Sequence, residues 1–169
     1  MNTPRLVLLA LSALSFVTPV IAGPAHVHGE AKLEIIVESN ELAIHFESPL
    51  YGLLGFERAP RTAAEKQAVQ TMKAMLEDTA RIFSLPPEAG CTAQAAKISS
   101  PVFADKGAAG HLDLDADYRW QCNKPAALRA IDTRLFAEFP RMKRIKVDFA
   151  GPTGQKSGRL TPPQPRFTW

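Results

Sequence analysis

The sequence predicts an α+β fold in which one long amphipathic helix packs on a mainly antiparallel sheet built from hairpins. Three observations indicate this fold. Apolar and polar residues alternate before the helix, a helical stretch spans residues 62–84, and further alternating segments follow it. Each half also runs a strand pair and then a connector, which is compatible with a weak, diverged internal repeat.

The first hairpin is predicted over residues 26–49. Apolar residues recur at every second position on both sides of a turn, which is the pattern of two half-buried strands. This alignment places Glu34 opposite His45, and we expect His45 to lie at the surface, paired with Glu34 or Glu47. The alternating apolar positions are Leu33, Ile35, Val37, Leu42, Ile44 and Phe46, with Ser39-Asn40 as the turn.

The helix over residues 62–84 has a clear start. Thr62 is suited to the N-cap position, and Glu65 three positions later completes a capping box. Pro86-Pro87 would stop the helix. Its apolar stripe, in which the methionines act as core filler, comprises Ala68, Met72, Met75, Leu76, Thr79, Ile82 and Phe83.

The second half is predicted to be rich in strands. Residues 92–103 form a weak strand and residues 111–122 a strong one, whose alternate residues from Leu112 to Cys122 face the core. Residues 125–139 fit either a helix or a short strand that ends in one helical turn, and we favour the strand. A hairpin over 144–150 and 155–160 and a last short strand complete the fold.

The first residues predict a secretory signal peptide at 1–22. Arg5 supplies the positive region, residues 6–17 are apolar, and cleavage is expected after Ala22, with Ala25 as a second choice. The remaining residues 23–169 suit a single α+β domain. No later segment approaches the roughly 20 apolar residues that span a bilayer, so we expect no membrane span in the mature chain.

Charge and cysteine content narrow the possible partners. The formal net charge of +3 is too small to indicate nucleic-acid binding, and the basic run Arg141–Lys146 is most often a solvated face. Two cysteines, Cys91 and Cys122, are expected to form a disulfide in an oxidising compartment. A zinc role for this pair is the rival interpretation, although the C-x-x-C spacing is missing.

The histidines carry the strongest chemical pattern. On an extended segment, His26 and His28 face the same side about 6–7 Å apart and could share one metal ion. His111 is the best third ligand, with Asp113 two residues later on the same strand face. His45 would lie about 20 Å from His28 and is excluded from that site. The alternative for the His-x-His pair is a solvated N-terminal arm.

Catalysis has little support, and we predict that the protein is not an enzyme. No serine lies in a nucleophile elbow, no glycine loop suits a phosphate group, and neither cysteine resembles a free nucleophile.

Several motifs together resemble the ZrgA-like family of zinc-regulated periplasmic proteins. They span nearly the whole mature chain and read His26-Val-His28-Gly29-Glu-Ala-Lys-Leu33, Glu47-Ser-Pro49, Leu54-Gly55-Phe56-Glu57-Arg-Ala-Pro60, Asp117-Tyr118-Arg-Trp-Gln-Cys122, Leu135-Phe136-Ala-Glu-Phe139-Pro140, and Gly154-Gln155 before Leu160-Thr161.

The resemblance implies a periplasmic protein that binds Zn²⁺ and supports zinc acquisition by a zinc ABC transporter component. It supports His26, His28 and His111 as ligands and draws attention to Glu57. Relatives often carry a His-rich insertion that is missing here at 104–110, and Arg58 stands where they commonly place His. We therefore expect one zinc site at most. The alternative is a metal-free envelope interaction module that uses an exposed sheet edge or the basic run.

Overall fold

The computed structural model describes residues 29–104 and 112–169. Short 3-10 turns occur in these ranges at Pro87–Ala89, Pro101–Phe103 and Pro125–Ala127. The strands and helices of the described ranges are, in chain order, β1 (Glu30–Glu38), β2 (Glu41–Pro49), α1 (Leu50–Leu54), α2 (Ala63–Glu77), α3 (Thr79–Ile82), β3 (Phe83–Ser84), β4 (Cys91–Ala93), β5 (Lys97–Ser99), β6 (Asp113–Cys122), β7 (Ala130–Thr133), α4 (Leu135–Glu138), β8 (Arg144–Gly151), β9 (Gly154–Leu160) and β10 (Arg166–Thr168).

The strands form two sheets. The larger sheet has seven strands in the order β4-β6-β2-β1-β8-β9, with β5 also paired to β6. Its neighbouring strands are antiparallel except for β1 and β8, which run parallel. The smaller sheet has the order β10-β7-β3. Because β1 pairs with β8 across more than a hundred residues, the first and last hairpins share one sheet.

The predicted α+β fold with one long helix over residues 62–84 is wrong. The fold is sheet-rich, with 45% strand against 28% helix. The capping box at Thr62 and Glu65 is present, but α2 ends at Glu77. Asp78 leaves helical geometry at ψ 84° and its side chain accepts a hydrogen bond from the Arg81 amide, which caps the separate helix α3.

The predicted internal repeat is also not seen in the described ranges. The first hairpin, β1 and β2, leads into three helices, whereas the last hairpin, β8 and β9, leads into the short strand β10 of the other sheet. The apolar stripe that suggested a long helix remains buried in part, since Ile82 and Phe83 pack into the core from α3 and β3.

Other sequence predictions are confirmed. Glu34 lies opposite His45 in the first hairpin, as the alternation indicated. The ambiguous stretch 125–139 contains the strand β7 followed by the helical turn α4, which is the interpretation we favoured. The last hairpin forms at the predicted place, and β6 buries alternate residues from Leu114 to Cys122.

Period-two alternation gives the large sheet two different faces. One face is buried in a single apolar cluster with α2 and the small sheet, through residues such as Leu33, Ile44, Phe46, Leu114 and Tyr118. We call the opposite face the polar sheet face. It is defined by the half-buried or exposed side chains Lys32, Glu34, His45, Glu47, Asp115 and Asp117 of β1, β2 and β6.

Candidate functional site

The predicted metal ligands divide into two groups. His26, His28 and His111 lie outside the described residues. Asp113 and Glu57 lie within them. Asp113 opens β6 opposite Pro49, and its backbone carbonyl accepts a hydrogen bond of 2.6 Å from the Ser100 hydroxyl. Its Oδ1 atom is buried from solvent. The candidate ligand Asp113 is therefore held by fixed backbone at the first position of a central strand.

Glu57 follows α1 and has a similar environment. Its Oε1 atom is also buried from solvent. The chain reaches Glu57 through Gly55, which caps the C-terminus of α1 in left-handed geometry at φ 83°. The α1 helix itself starts beside β6, because the Leu50 amide donates to the Leu112 carbonyl at 2.9 Å. Both predicted carboxylates therefore belong to segments that meet around α1.

The topology brings the relevant strand ends together. In one row across the sheet, Lys32 of β1 lies opposite Glu47 of β2, and Glu47 lies opposite Asp115 of β6. The starts of β1 and β6 therefore flank the end of β2. Adjacent strands are about 4.8 Å apart, so these two starts lie roughly 10 Å from each other. His28 immediately precedes the first described residue, Gly29, and His111 precedes Asp113 by two positions.

The described ranges do not themselves contain a complete metal site. No group of three or more His, Cys, Asp or Glu side chains in residues 29–104 and 112–169 is arranged to hold a metal ion. The half-buried residues Glu57 and Asp113 are thus the predicted ligands that the structure describes.

His45 has different partners from those the sequence predicted. We expected Glu34 or Glu47 of the same hairpin, but His45 contacts two aspartates of β6. Its Nδ1 lies 2.9 Å from Asp117 Oδ1, and its Nε2 lies 3.6 Å from Asp115 Oδ1. The pairing of β2 with β6 places His45 beside these aspartates. The alternation of residues within one strand does not indicate which strand lies next to it.

Negative charge accumulates around Asp115. Burial, followed by the carboxylates of Glu47 and Asp117, raises the pKa of Asp115, and His45 acts in the opposite direction. Asp115 and Asp117 are therefore part of an electrostatically coupled group on the polar sheet face.

Arg58 and most of the basic run have structural partners. The Arg58 guanidinium binds Glu65 with two hydrogen bonds and lies 5.1 Å from the centre of the Phe56 ring. Arg144 and Lys146 both pair with Glu30, and Lys143 donates to the Pro140 carbonyl. Three of the four cations of the basic run therefore have a partner within the chain.

The cysteines form the predicted disulfide. Cys91 and Cys122 lie opposite each other in β4 and β6 and are joined by an S–S bond. Since both cysteines of the chain are used, neither is available as a thiolate ligand, and the rival interpretation of this pair as zinc ligands is wrong. Within residues 29–104 and 112–169, no helix is long and apolar enough to cross a membrane.

The chain matches the model of a known protein family. The family described as "ZrgA family zinc uptake protein" matches residues 25–169. No curated protein matches the chain. The matched region contains the His-x-His pair, Glu57, His111 and Asp113, together with both cysteines.

Proposed function

The chain belongs to the ZrgA family of zinc uptake proteins, and we propose that it binds Zn²⁺ in the periplasm as a non-catalytic accessory protein for zinc acquisition. Membership of this family connects the function of the chain with zinc uptake. The periplasmic location, the binding step and delivery to a zinc ABC transporter component are our proposal. The Cys91–Cys122 disulfide supports an oxidising compartment outside the cytoplasm.

One observation carries the binding step. The starts of β1 and β6 flank the end of β2, and in the sequence His28 and His111 closely precede these two strands. Asp113 lies at that end, and Glu57 follows the helix that begins there. Imidazole and carboxylate groups are typical zinc ligands at about 2.0–2.2 Å. We propose one site from these residues, with zinc as cargo.

The test is zinc titration of the metal-free protein, with calorimetry and metal analysis after dialysis. The wild type should bind zinc, and His26→Ala with His28→Ala should lower its affinity by at least about tenfold. Asp113→Asn and Glu57→Gln should each weaken binding. Asp132→Asn is the matched control, because Asp132 is an exposed carboxylate of the small sheet paired with Arg166.

Two results would overturn the proposal. One is that the wild type binds no zinc, and the other is that the wild type and the double histidine variant bind it equally.

A further inference from the structure

We propose that the polar sheet face is the interface of a homodimer, in which a second copy of the chain packs on the first around a two-fold axis parallel to β1. The large sheet provides five neighbouring strands in the order β6-β2-β1-β8-β9, so β1 is the middle strand. Rotation about this axis places β6 of one copy over β9 of the other, and β2 over β8. The dimer does not involve zinc and is independent of the function proposed above.

An apolar centre lies in the middle of this face. Ile36 of β1 is 48% exposed, and its neighbours in the same row are the short side chains Ala43 of β2 and Ala150 of β8. Hollows of about 410 Å³ and 360 Å³ lie on its two sides. In the dimer, each Ile36 enters a hollow of the other copy, which gives the apolar centre and polar surround of a protein interface. The complete row runs Arg119, Ala43, Ile36, Ala150 and Gln155.

A charged row on the same face is complementary to itself. From β6 to β9, its members are Asp115, Glu47, Lys32, Lys146 and Arg159, so one end is acidic and the other basic. The rotation reverses this order in the second copy. Asp115 then faces Arg159, Glu47 faces Lys146, and each contact occurs twice. Opposite charges therefore favour the reversed orientation, because an unreversed row would place carboxylates over carboxylates.

The row between these two is compatible with the same orientation. Reversal places His45 of β2 over Asp148 of β8, which adds a further pair of opposite character. Glu34 and Lys32 lie on β1 and meet their own copies near the axis. These two side chains are bonded to each other within one chain, so together they bring no net charge to the axis. The row runs Asp117, His45, Glu34, Asp148 and Ser157.

Asp115 and Arg159 cannot contact each other within one copy. Arg159 is exposed on β9, and Asp115 lies four strand spacings away on β6, which is roughly 19 Å across the sheet. Burial, followed by the carboxylates of Glu47 and Asp117, raises the pKa of Asp115, and His45 acts in the opposite direction. A guanidinium group from a second copy would relieve this concentration of negative charge.

The face is large enough for a stable dimer. Five strands at a spacing of about 4.8 Å are about 24 Å wide. The shortest of them, β9, has seven residues and is therefore about 24 Å long. The flat area is roughly 600 Å² per copy, so a dimer buries roughly 1,200 Å², the lower end of the range for specific interfaces. Aligned face-to-face packing is also a usual arrangement of two sheets.

Analytical ultracentrifugation of the chain without its predicted signal peptide tests the dimer over a series of concentrations. Excess chelator excludes a metal bridge between the copies. The wild type should sediment as a dimer that dissociates on dilution. Ile36→Lys should raise the dissociation constant by at least about tenfold, because it places two charges in the apolar centre. Tyr51→Lys is the matched control and should leave it unchanged, since Tyr51 is 41% exposed but lies on α1, outside this face.

Charge reversal tests the orientation of the two copies. Arg159→Glu and Asp115→Lys should each weaken self-association, because like charges then face each other twice. An equal mixture of the two variants should form a heterodimer, in which both contacts again join opposite charges. This recovery cannot arise within one chain, since the two positions lie on distant strands.

Three results would overturn the proposal. The first is a wild type that stays monomeric at every concentration, even if it captures a cationic protein instead. The second is a dimer that Ile36→Lys leaves intact. The third is a mixture of the two charge variants that associates no better than either variant alone.

Discussion

The guanidinium group of Arg141 lies directly against Gly55. A Cβ atom built at Gly55 would come 2.8 Å from Nε and 3.0 Å from Cζ of Arg141. The same segment also holds the start of β1, because the Lys143 amide donates to the Gly29 carbonyl at 2.8 Å. Residues 141–143 therefore connect the segment that follows His28 with the segment that leads to Glu57.

Gly55→Ala should destabilise the protein by about 1–2 kcal/mol, because the residue needs φ 83° and its new methyl group would collide with Arg141. Urea denaturation measures the change. Gly52→Ala is the matched control in the same helix, since its nearest neighbour would be the Ser48 hydroxyl at 3.5 Å. It should be neutral or stabilise by up to about 1 kcal/mol. Equal effects of both substitutions would contradict this explanation.

Glu65 should make the start of α2 sensitive to acid. The Arg58 guanidinium and the Arg61 amide hold the pKa of Glu65 at about 2, below its usual 4.5. Because the folded state binds this proton more weakly than the unfolded chain, the stabilisation is complete above pH 4.5. It is lost as the pH falls through about 2.

Denaturation of the wild type and Glu65→Gln across this pH range checks the effect. The stability difference between them should be largest near neutral pH and should shrink as the pH falls. In an Arg58→Gln background, adding Glu65→Gln should produce a smaller difference, because the main hydrogen-bond partner is gone. A difference that does not vary with pH would show that Glu65 acts only through cap geometry.

The disulfide should make a large contribution to stability. Cys91 and Cys122 enclose a sequence separation of 31 residues, for which the chain-entropy model gives about 3–4 kcal/mol. Reduction should therefore lower the urea midpoint of the wild type. The variant Cys91→Ala with Cys122→Ala should be less stable and insensitive to reductant. A wild-type midpoint that is unchanged after verified reduction would contradict the prediction.

Local alternation was sufficient to predict the first hairpin and its register. If β1 or β2 shifted by one residue, its apolar side chains, such as Leu33 or Ile44, would move from the core to the polar sheet face. The burial of these side chains therefore fixes the register of the two strands. The end of α2 was not predicted, because the apolar spacing continues through Ile82 and Phe83. Asp78 is a favourable cap residue, and its hydrogen bond to the Arg81 amide starts a new helix at that point.

Pairings between distant strands could not be obtained from the sequence pattern. The parallel pairing of β1 with β8 depends on tertiary packing, and so does the antiparallel pairing of β2 with β6. The second pairing decides the partners of His45. The pattern within the first hairpin assigned the carboxylate partners of His45 to the wrong strand.

Tyr118→Phe should leave stability unchanged or increase it by up to about 1 kcal/mol. The Tyr118 ring is 1% exposed and packs edge-to-face on Phe83 at 5.0 Å. Burial raises the pKa of its hydroxyl, for which the described residues provide no hydrogen-bond partner. Removing an unsatisfied buried hydroxyl removes its desolvation cost while the ring contacts remain.

Thr133→Val is the matched control for this prediction, because the buried Thr133 hydroxyl donates to the Ile82 carbonyl and accepts from the Leu135 amide. Its loss leaves the Leu135 amide without this acceptor, while the Ile82 carbonyl keeps its bond from the Arg134 amide, and it should cost about 1–3 kcal/mol. Urea denaturation of both variants gives the comparison. If Tyr118→Phe proves at least as destabilising as Thr133→Val, the Tyr118 hydroxyl must form a stabilising hydrogen bond in solution.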